Sequence, residues 1–525
     1  MGNHEMEQPS GHASRVGALT ILVLCLWLAT TYLFWTGYVG AADDKNYAHY
    51  AFELNRPPSN WWEFRIPFIL ALRASFLVFG PSELAAALPN LIMSLSIVAA
   101  VAWFTGWWRK SSWQTLAAAL IAVTFPLGVG FRSTVLAPFF AGSLLIVGTA
   151  CFLRGSRGVQ ALGAMLLAAG YATHEVAFFY VAILCITSLF FERQKYWRPV
   201  LICVAASAAV VLTEGIVYKI LLHDALARFR TSSGAMVGNL GPGFDASSNI
   251  YGVRFYTWPL ENLIFSKNFG FDLLLLLVSG VFVWRRFAVE QRILFTVTFL
   301  TWAYLGYGTL EPWKYQPLYR QMHYYIVIMF GVSALLPWTI TWLTGGRRWL
   351  SQAILGGTIL VQLACCAAGG RWGQNVGVSR VLLSFVQSHS GQTFLADKNS
   401  MDEMYMVNGF RFPANVVCLN GPEVEQHLIV NEGPAGMPKF RFPEAAIDGI
   451  LVNRESLGNE PGFTEYMGRH PGTEETLTPL KYKLIFSPIS HVIQPREFMI
   501  RSKGGAVIWL SGDRTTRGGR VQGGQ

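Results

Sequence analysis

The chain has 525 residues, of which 52% are hydrophobic and only 14% are charged, and its formal net charge is +10. Soluble domains are about 25% charged, so this composition excludes a single soluble globule, and its apolar content excludes a disordered chain. The basic residues fall in short clusters between apolar runs, which argues against a continuous nucleic-acid-binding groove. Such a distribution is typical of a protein that crosses a membrane many times.

Apolar runs that suit transmembrane helices follow one another along most of the chain. The first run follows a polar N-terminal stretch and lacks a small-residue cleavage signal, so we expect a retained helix rather than a signal peptide. The segment Ile66 to Phe79 is shorter and contains Arg73, so it is interpreted as an amphipathic helix at the membrane interface. With about 20 apolar residues needed for each span, we predict about eleven spans: 17–39, 84–106, 114–130, 135–153, 159–173, 176–191, 199–221, 271–284, 291–309, 324–344 and 350–369.

Basic clusters assign the two sides of the membrane. They lie at Arg109-Lys110, Arg154 to Arg157, Arg193 to Arg198, Arg285-Arg286 and Arg347-Arg348, and all fall on one side of the predicted spans. By the positive-inside rule the N-terminal tail 1–16 is then cytoplasmic. The outer side receives the loops 40–83, 222–270 and 310–323 of a transmembrane domain 17–370, together with everything that follows. We therefore expect the chemistry outside the cytoplasm, where nucleotide-sugar donors are absent; no P-loop is present either.

The C-terminal part has a different pattern. Val378 to Ser388 predicts a helix, and short apolar runs predict strands, which favours a small α/β domain over 371–512 on the outer side. The predicted strands are Thr393 to Leu395, Val416 to Leu419, Ile447 to Val452, Lys483 to Phe486 and Ala506 to Leu510. The tail 513–525 is rich in glycine and is expected to be disordered.

Two adjacent carboxylates, Asp43 and Asp44, follow the first span in the first outer loop. Near a low-dielectric surface one of them can have a raised pKa that suits a general base. They can equally cap the helix that starts near Lys45. From the residues alone both interpretations stay open.

The segment that begins with these carboxylates resembles the first outer loop of the GT-C membrane glycosyltransferases. Tyr47 follows the pair, then come Arg65-Ile66-Pro67-Phe68, Phe79-Gly80-Pro81-Ser82-Glu83 and Leu88-Pro89. The order is most similar to the branch of protein O-mannosyltransferases and lipid A aminoarabinose transferases, where the loop reads Asp-Glu, Tyr, a Pro-rich stretch, FG and Arg-Leu-Pro. Here Asp44 stands where Glu is usual, and Ala87 where Arg is usual.

Weaker similarity continues to about residue 345. Ala172-Thr173-His174-Glu175 resembles an element of an archaeal family named for its association with flippase activity. After Arg132 the chain has Ala137-Pro138 where relatives often carry a second Asp. The C-terminal domain is not covered by the resemblance.

The resemblance implies an α-helical, GT-C-like membrane fold and a defined reaction. Members transfer a sugar from a polyprenyl phosphate carrier to an extracytoplasmic acceptor with inversion, and the acceptor here can be a protein, a lipid or a polysaccharide. Asp43 matches the family position of the base, and Asp44 would orient it, share its proton or bind a metal. No cofactor is certain; a divalent cation, Mg or Mn, held by Asp43 and Asp44 is the candidate.

The loop 310–323 supplies the candidate donor phosphate site. Arg320 can form a bidentate contact with a phosphate and Lys314 can add a point charge, with Arg132 and Arg65 as further candidates. The aromatic residues of this loop can instead form an ordinary interfacial belt with snorkelling cations. The substrate cavity is predicted to include His174, Glu175, Tyr47, Tyr319 and His323.

Two other classes of function remain open at this point. A lipid-linked glycan flippase or transporter also needs many spans and intramembrane charges, although no inverted repeat is visible. A non-catalytic component of a cell-envelope polysaccharide assembly system is the other alternative. In each case the expected partners are a lipid-linked sugar and membrane lipids, and no nucleic acid.

Overall fold

A computed structural model describes the protein over most of its length. The described residues are 9–38, 42–60, 62–106, 113–231, 254–307, 322–368, 374–419, 428–431, 440–443, 447–453, 472–477 and 505–510. The predicted strand Lys483 to Phe486 and the predicted disordered tail 513–525 lie outside these residues, as does most of the loop 310–323.

Contacts between residues divide the chain into two compact units. The helical unit comprises Met1–Gly37, Asn46–Val78 and Leu84–Gly369, and the sheet unit comprises Tyr38–Lys45, Phe79–Glu83 and Gly370–Gln525. The sheet unit therefore includes two short segments of the first predicted outer loop besides the C-terminal part of the chain.

Helices account for nearly all described residues before residue 369. They are α1 (Pro9–Leu33), α2 (Ala42–Glu53), α3 (Ile66–Phe79), α4 (Glu83–Thr105), α5 (Trp113–Thr124), α6 (Pro126–Phe131), α7 (Ala137–Arg154), α8 (Arg157–Thr173), α9 (Ala177–Leu222), α10 (Arg254–Ile264), α11 (Asp272–Val283), α12 (Val289–Tyr307), α13 (Ile328–Leu343) and α14 (Arg348–Ala368). A helical turn also runs over 227–231. Short 3₁₀ helices lie at Trp284–Arg286 and Met322–Val327.

The helices have the length and composition of a membrane protein. Five described helices are long and apolar enough to cross a bilayer: Glu83–Thr105, Ala137–Arg154, Ala177–Leu222, Met322–Leu343 and Arg348–Ala367. Shorter apolar helices cover Gly17–Leu33, Ile66–Phe79 and Trp113–Thr124. The protein is thus a helical membrane protein, and both the eleven spans and the sidedness of the termini stay predictions.

Two local predictions can be compared directly with the helices. The helix predicted over Ile66 to Phe79 is confirmed, with Phe68 and Leu72 buried on one face while Leu70 and Leu77 are exposed. The two predicted spans 176–191 and 199–221 are joined as α9, 46 residues long, whose backbone breaks at Glu192 (φ −155°, ψ 70°). The sequence gap between the spans is therefore a kink and not a loop.

Helices α7 and α8 approach each other closely because glycines face each other across the contact. A Cβ atom added to Gly163 would lie 2.7 Å from the Gly148 carbonyl oxygen and 2.6 Å from the Phe152 nitrogen. A Cβ on Gly170 would lie 2.8 Å from the Leu145 side chain. This close contact fixes the end of α8 and the turn that follows it.

The sheet unit is built on a five-stranded mixed sheet. Its strands are β1 (Phe394–Asp397), β2 (Val416–Leu419), β5 (Gly449–Asn453), β6 (Gly472–Leu477) and β7 (Gly505–Leu510), and a separate hairpin pairs β3 (Leu428–Asn431) with β4 (Phe440–Pro443). The order is β2-β1-β5-β7-β6, parallel from β2 to β5 and antiparallel from β5 to β6. Strand Gly449–Asn453 is buried throughout, as expected for a central strand.

Two helices of the sheet unit cover one face of the sheet. Helices α15 (Gln374–Ser388) and α16 (Lys398–Val407) contribute Val378, Leu382 and Met404 to a core that includes Phe394 and Val507. A second cluster, with Leu395 and Ile450, lies on the opposite face, as the alternation of side chains along a strand requires. The predicted helix Val378 to Ser388 is confirmed, as are the predicted strands at 416–419 and 506–510.

Candidate active site

Four charged side chains from distant parts of the chain meet inside the helical unit. The Arg228 Nε donates to Glu175 Oε1 at 3.1 Å, and its Nη1 donates to Glu214 Oε1 at 2.5 Å. Its Nη2 donates to the Tyr171 carbonyl at 3.0 Å. The Arg65 Nη2 lies 3.5 Å from Glu175 Oε2. Two guanidinium groups thus balance two carboxylates, as burial of charge requires.

The turn between α8 and α9 places Glu175 in this cluster. Helix α8 ends at Thr173, and His174 has an extended backbone (φ −155°, ψ 132°) that stops the helix. The Ala177 N–H donates to the His174 carbonyl at 3.1 Å, and the Val176 N–H donates to His174 Nδ1 at 3.3 Å. The predicted pair His174 and Glu175 therefore forms a turn closed by its own hydrogen bonds and is also part of a charged site.

Arg65 enters the site from the start of α3. Its carbonyl accepts hydrogen bonds from the N–H groups of Phe68 and Ile69, both at 3.1 Å, so the residue begins the helix. Its side chain is 1% exposed, and the guanidinium lies 6.0 Å from the ring centre of Tyr47 on α2. Tyr47 packs edge-on against Phe68 at 5.4 Å. Two predicted site residues, Arg65 and Tyr47, are thus in contact.

Burial and the two arginines set the protonation states of the turn. Burial alone would raise the pKa of the Glu175 carboxyl, but Arg65 and Arg228 outweigh it and hold that pKa well below its usual range. Burial, and after it Arg65, lowers the pKa of the His174 imidazole well below its usual value. Glu175 is therefore ionised and His174 neutral at pH 7.

The neutral His174 ring has a defined donor. Because its Nδ1 accepts from the Val176 N–H, the ring proton is assigned to Nε2. This Nε2 is buried and has no hydrogen-bond partner among the residues that the structure describes. A buried donor without a partner is costly, so it is suited to bind a ligand acceptor or an ordered water.

His174 also lines an apolar crevice between α7, α9 and α12. Its other polar lining groups include Thr301 and Tyr324, and the Thr301 hydroxyl, like His174 Nε2, lacks a partner within the described part of the chain. The Tyr324 ring lies edge-on to His174 at 4.9 Å. The crevice measures about 30 Å³, which holds one or two water molecules. A sugar or an isoprenoid chain can enter only if the walls move.

The predicted acid pair begins helix α2, and its surroundings are described for Asp44 only. Asp44 is fully buried, and its Oδ1 accepts a hydrogen bond from the Lys45 N–H at 2.9 Å. The Asp43 side chain lies outside the described residues. Both the capping and the general-base interpretations therefore remain open for Asp43.

The remaining predicted site residues have different outcomes. Arg320, Lys314 and Tyr319 lie outside the described residues. Arg132 is 2% exposed and donates to the Thr30 hydroxyl at 2.7 Å, with the Trp27 ring 5.8 Å away. His323 is in contact with Tyr324, at 4.5 Å between ring centres, and so lies close to His174.

Sequence reasoning did not identify Arg228, which donates hydrogen bonds to both Glu175 and Glu214 in the charged cluster. A signal for it existed in Glu214, because a carboxylate within an apolar helix needs a cationic partner. The partner could not be chosen from the sequence, since Arg228 lies in the predicted loop 222–270 among other basic residues.

The predicted divalent cation has no further support from side-chain positions. Within the described ranges, no group of three or more His, Cys, Asp or Glu side chains is arranged to hold a metal ion. A metal held by Asp43 and Asp44 stays a prediction, because only one of the two carboxylates is described.

The fold can be compared with solved structures. The apo structure of ArnT from Cupriavidus metallidurans matches over 89% of this chain and 96% of its own, with a TM-score of 0.51 and 11% sequence identity. ArnT is a GT-C glycosyltransferase. This chain has the GT-C fold. The expectation of a GT-C-like membrane fold is thereby confirmed.

Two other GT-C structures match less well. ArnT of the same organism bound to undecaprenyl phosphate covers 78% of this chain and 86% of its own (TM-score 0.46, 10% identity). An oligosaccharyltransferase from Archaeoglobus fulgidus, tethered with an acceptor peptide, covers 86% of this chain and 70% of its own (TM-score 0.44, 12% identity). No family model and no curated protein matches the sequence, so the GT-C fold is assigned from the three-dimensional likeness.

Proposed function

We propose that this protein is a membrane glycosyltransferase that moves a sugar from a polyprenyl phosphate carrier to an acceptor outside the cytoplasm, with inversion. The observation that carries the proposal is the GT-C fold shared with ArnT over 89% of the chain. The resemblance of the Asp43-Asp44 loop to that of the GT-C transferases points to the same reaction.

In the proposed reaction the acceptor hydroxyl oxygen attacks the anomeric carbon of the sugar. A carbon–oxygen bond forms there as the bond to the carrier phosphate breaks, and the bonding electron pair leaves with the phosphate. The acceptor proton passes to the base, for which we propose Asp43, with Asp44 orienting or tuning it. A general base of this kind typically contributes about 10²–10⁴-fold to the rate.

The departing phosphate needs cationic contacts. Arg228 is fully engaged with Glu175, Glu214 and the Tyr171 carbonyl, so its role is to organise the cluster. Arg65 makes a longer contact with Glu175, at 3.5 Å, and is the described cation that we propose for the phosphate. Arg320 and Lys314 of the loop 310–323 remain the proposed surface contacts, with Arg320 the stronger because it can bind two oxygens.

The crevice beside His174 is the proposed place for the reacting end of the donor. Its apolar walls suit the first isoprenoid units, and His174 Nε2 and the Thr301 hydroxyl offer hydrogen bonds to oxygen atoms. Because the volume is only about 30 Å³, donor binding requires a wall to open. Tyr324, which touches both His174 and His323, is the proposed moving side chain.

The test is transfer by the purified protein in liposomes. Polyprenyl phosphates carrying radiolabelled hexoses, N-acetylhexosamines or aminopentoses are offered with membrane extracts as acceptor source, and release of free polyprenyl phosphate is measured. We expect release with one donor class, and no release from an Asp43→Asn protein. A folded wild-type protein that releases nothing from any donor, yet moves labelled lipid across the bilayer, would establish a flippase instead.

A further inference from the structure

The segment Phe79–Glu83, which carries part of the resemblance, has no part in the proposed chemistry. In the structure it belongs to the sheet unit, together with Tyr38–Lys45, the segment that contains Asp43 and Asp44. Both segments are fixed by the helices of the C-terminal part of the chain. Three separate contacts show how.

The first contact is a two-pronged ion pair between Glu83 and Arg380 of α15. The Arg380 Nε donates to Glu83 Oε2 at 2.9 Å, and its Nη2 forms a second, closer contact with Oε1. Glu83 Oε1 also accepts from the backbone N–H of Tyr38 at 3.2 Å. One carboxylate therefore ties together α15 and both segments of the first outer loop.

The second contact joins Lys45, the residue next to the acid pair, to Asp402 on α16. These side chains are 28% and 24% exposed. The following residue, Glu403, points inward and accepts a hydrogen bond from the Ser379 hydroxyl at 2.5 Å. Because Ser379 lies on α15, the two helices that hold the two segments are also bonded to each other.

The third contact is a close approach of backbone to backbone. Gly409 follows α16 with φ +67°, and a Cβ atom there would lie 2.4 Å from the Pro81 carbonyl oxygen. Only glycine fits both the backbone conformation and the space. The chain that leaves α16 thus packs directly on the segment Phe79–Glu83.

Ion pairs near a surface contribute little to stability in general, so these contacts are weak evidence for a merely stabilising role. Their common feature is their position. Each contact ends either on the acid-pair segment, Tyr38–Lys45, or on the segment Phe79–Glu83 that is bonded to it. Lys45 is also covalently adjacent to Asp44. Two charged anchors and one steric one restrict where the backbone of Asp43 and Asp44 can lie.

We infer that Arg380 and Asp402 are positioning residues, through which the C-terminal helices hold the Asp43-Asp44 segment in place. Neither residue needs to touch the substrate. The inference rests on the proposed function in that the held carboxylates are the proposed base. A misplacement of about 1 Å in a reacting group can cost about a hundredfold in rate.

The test uses the full-length protein with Arg380→Gln and Asp402→Asn as separate variants. Transfer kinetics and hydrogen exchange over residues 38–45 and 79–83 are measured on each. We expect kcat to fall about tenfold to a hundredfold, with a much smaller change in the donor KM. Exchange over 38–45 should rise in both variants. The exchanged pairs Glu83→Arg with Arg380→Glu, and Lys45→Asp with Asp402→Lys, should restore part of both signals.

A matched control is available in the helical unit. Lys195 and Glu290 form an ion pair whose side chains are 41% and 21% exposed, and Glu290→Gln should leave kcat and exchange over 38–45 unchanged. If kcat is unchanged in a folded Arg380→Gln protein that shows faster exchange, the positioning role is refuted. If exchange is unchanged in the variants, the anchors do not hold the segment, and the inference fails whether or not the protein transfers sugar. If no donor is used but exchange rises and is restored by the exchanged pairs, the proposed function fails while the holding role stands.

Discussion

Glu175 and Glu214 are carboxylates whose burial is tolerated because Arg228 lies between them. Replacing Arg228 with Met keeps much of the side-chain volume and leaves both carboxylates without their shared cation. Breaking a fully buried pair in this way typically costs about 3–5 kcal/mol; the side chains of Glu175 and Glu214 are 16% and 19% exposed, so solvent screening reduces the cost here. We therefore expect Arg228→Met to lower the melting temperature of the protein in detergent strongly. Lys195→Met, which breaks an exposed pair, should cost about 0–1 kcal/mol. Equal losses of stability in the two variants would show that Arg228 does not stabilise the charged cluster.

The proposal that Asp43 is the general base predicts a change in the transfer rate and not in stability. Asp43→Asn keeps the size of the side chain and most of its hydrogen bonds, so a helix cap would survive. It removes the proton acceptor, and transfer should fall about 10²–10⁴-fold. Turnover and melting temperature are measured together, with Glu261→Gln on the exposed side of α10 as the control. Near-normal turnover of a folded Asp43→Asn protein would leave the acid pair as a cap alone.

Glu403 gives a pH dependence that can be measured without substrate. Burial raises the pKa of its carboxyl to about 8, the Ser379 hydroxyl opposes this, and Asp397 and Asp44 add to it. Between about pH 4.5 and pH 8 the folded state therefore keeps a proton that the unfolded state has lost. The free energy of unfolding falls as the pH rises through this range, by at most about 1.4 kcal/mol per pH unit. Hydrogen exchange over residues 394–407, corrected for intrinsic rates, should report this loss.

The matched variant is Glu403→Gln, which cannot ionise. It should remove most of the pH dependence between 5 and 8 and slow exchange at pH 8 relative to the wild type. An unchanged pH profile in Glu403→Gln would show that Glu403 is ionised in the native protein.

Between elements, the contact of α7 with α8 makes the clearest prediction. Gly163→Ala would place a methyl group within 2.7 Å of the Gly148 carbonyl, where backbone and not a flexible side chain must yield. Overpacking of this kind typically costs about 1–3 kcal/mol. Because α8 leads into the His174 turn, transfer should fall along with the melting temperature. Gly158→Ala is the control, since no atom lies within 4 Å of its added Cβ; similar results for both would show that the helices do not meet there.

The elements also show what pattern reasoning can and cannot recover. Strands Val416–Leu419 and Gly505–Leu510 were predictable because they are continuous apolar runs. Strand Gly472–Leu477 was missed because it is an exposed edge strand with Glu474 and Glu475 in it. The order of the strands could not be predicted, since β5 pairs with β7 across 51 residues of intervening chain and no local signal encodes that partner.

At the candidate site, too, features that are local in sequence were predictable and long-range contacts were not. His174 and Glu175 are neighbours in sequence and were identified together, whereas Arg228 contacts Glu175 from 53 residues away. Arg65 was selected as a further phosphate contact and Tyr47 as a cavity residue, and only the fold shows that one lies over the other. Local chemistry was therefore predictable, and partnership across helices was not.

For the whole molecule, the sidedness of the membrane is the prediction on which the extracytoplasmic reaction depends. Five basic clusters place the C-terminal part of the chain outside the cytoplasm. A reporter enzyme that is active only outside the cytoplasm, fused after Gly370, should be active. The same reporter fused after Arg157, in a predicted inner loop, should be inactive. The reverse pattern would invert the topology and with it the access of the donor.

The ion pair between Glu83 and Arg380 also has a consequence for the order of events during synthesis. The two residues are 297 positions apart, and ribosomes add about 5–20 residues per second, so Glu83 is made roughly 15–60 s before Arg380. Throughout that interval the helices can insert into the membrane while the proposed base is not yet held. The protein would then become active only once its chain is complete. A truncated product would enter the bilayer without gaining the ability to transfer sugar.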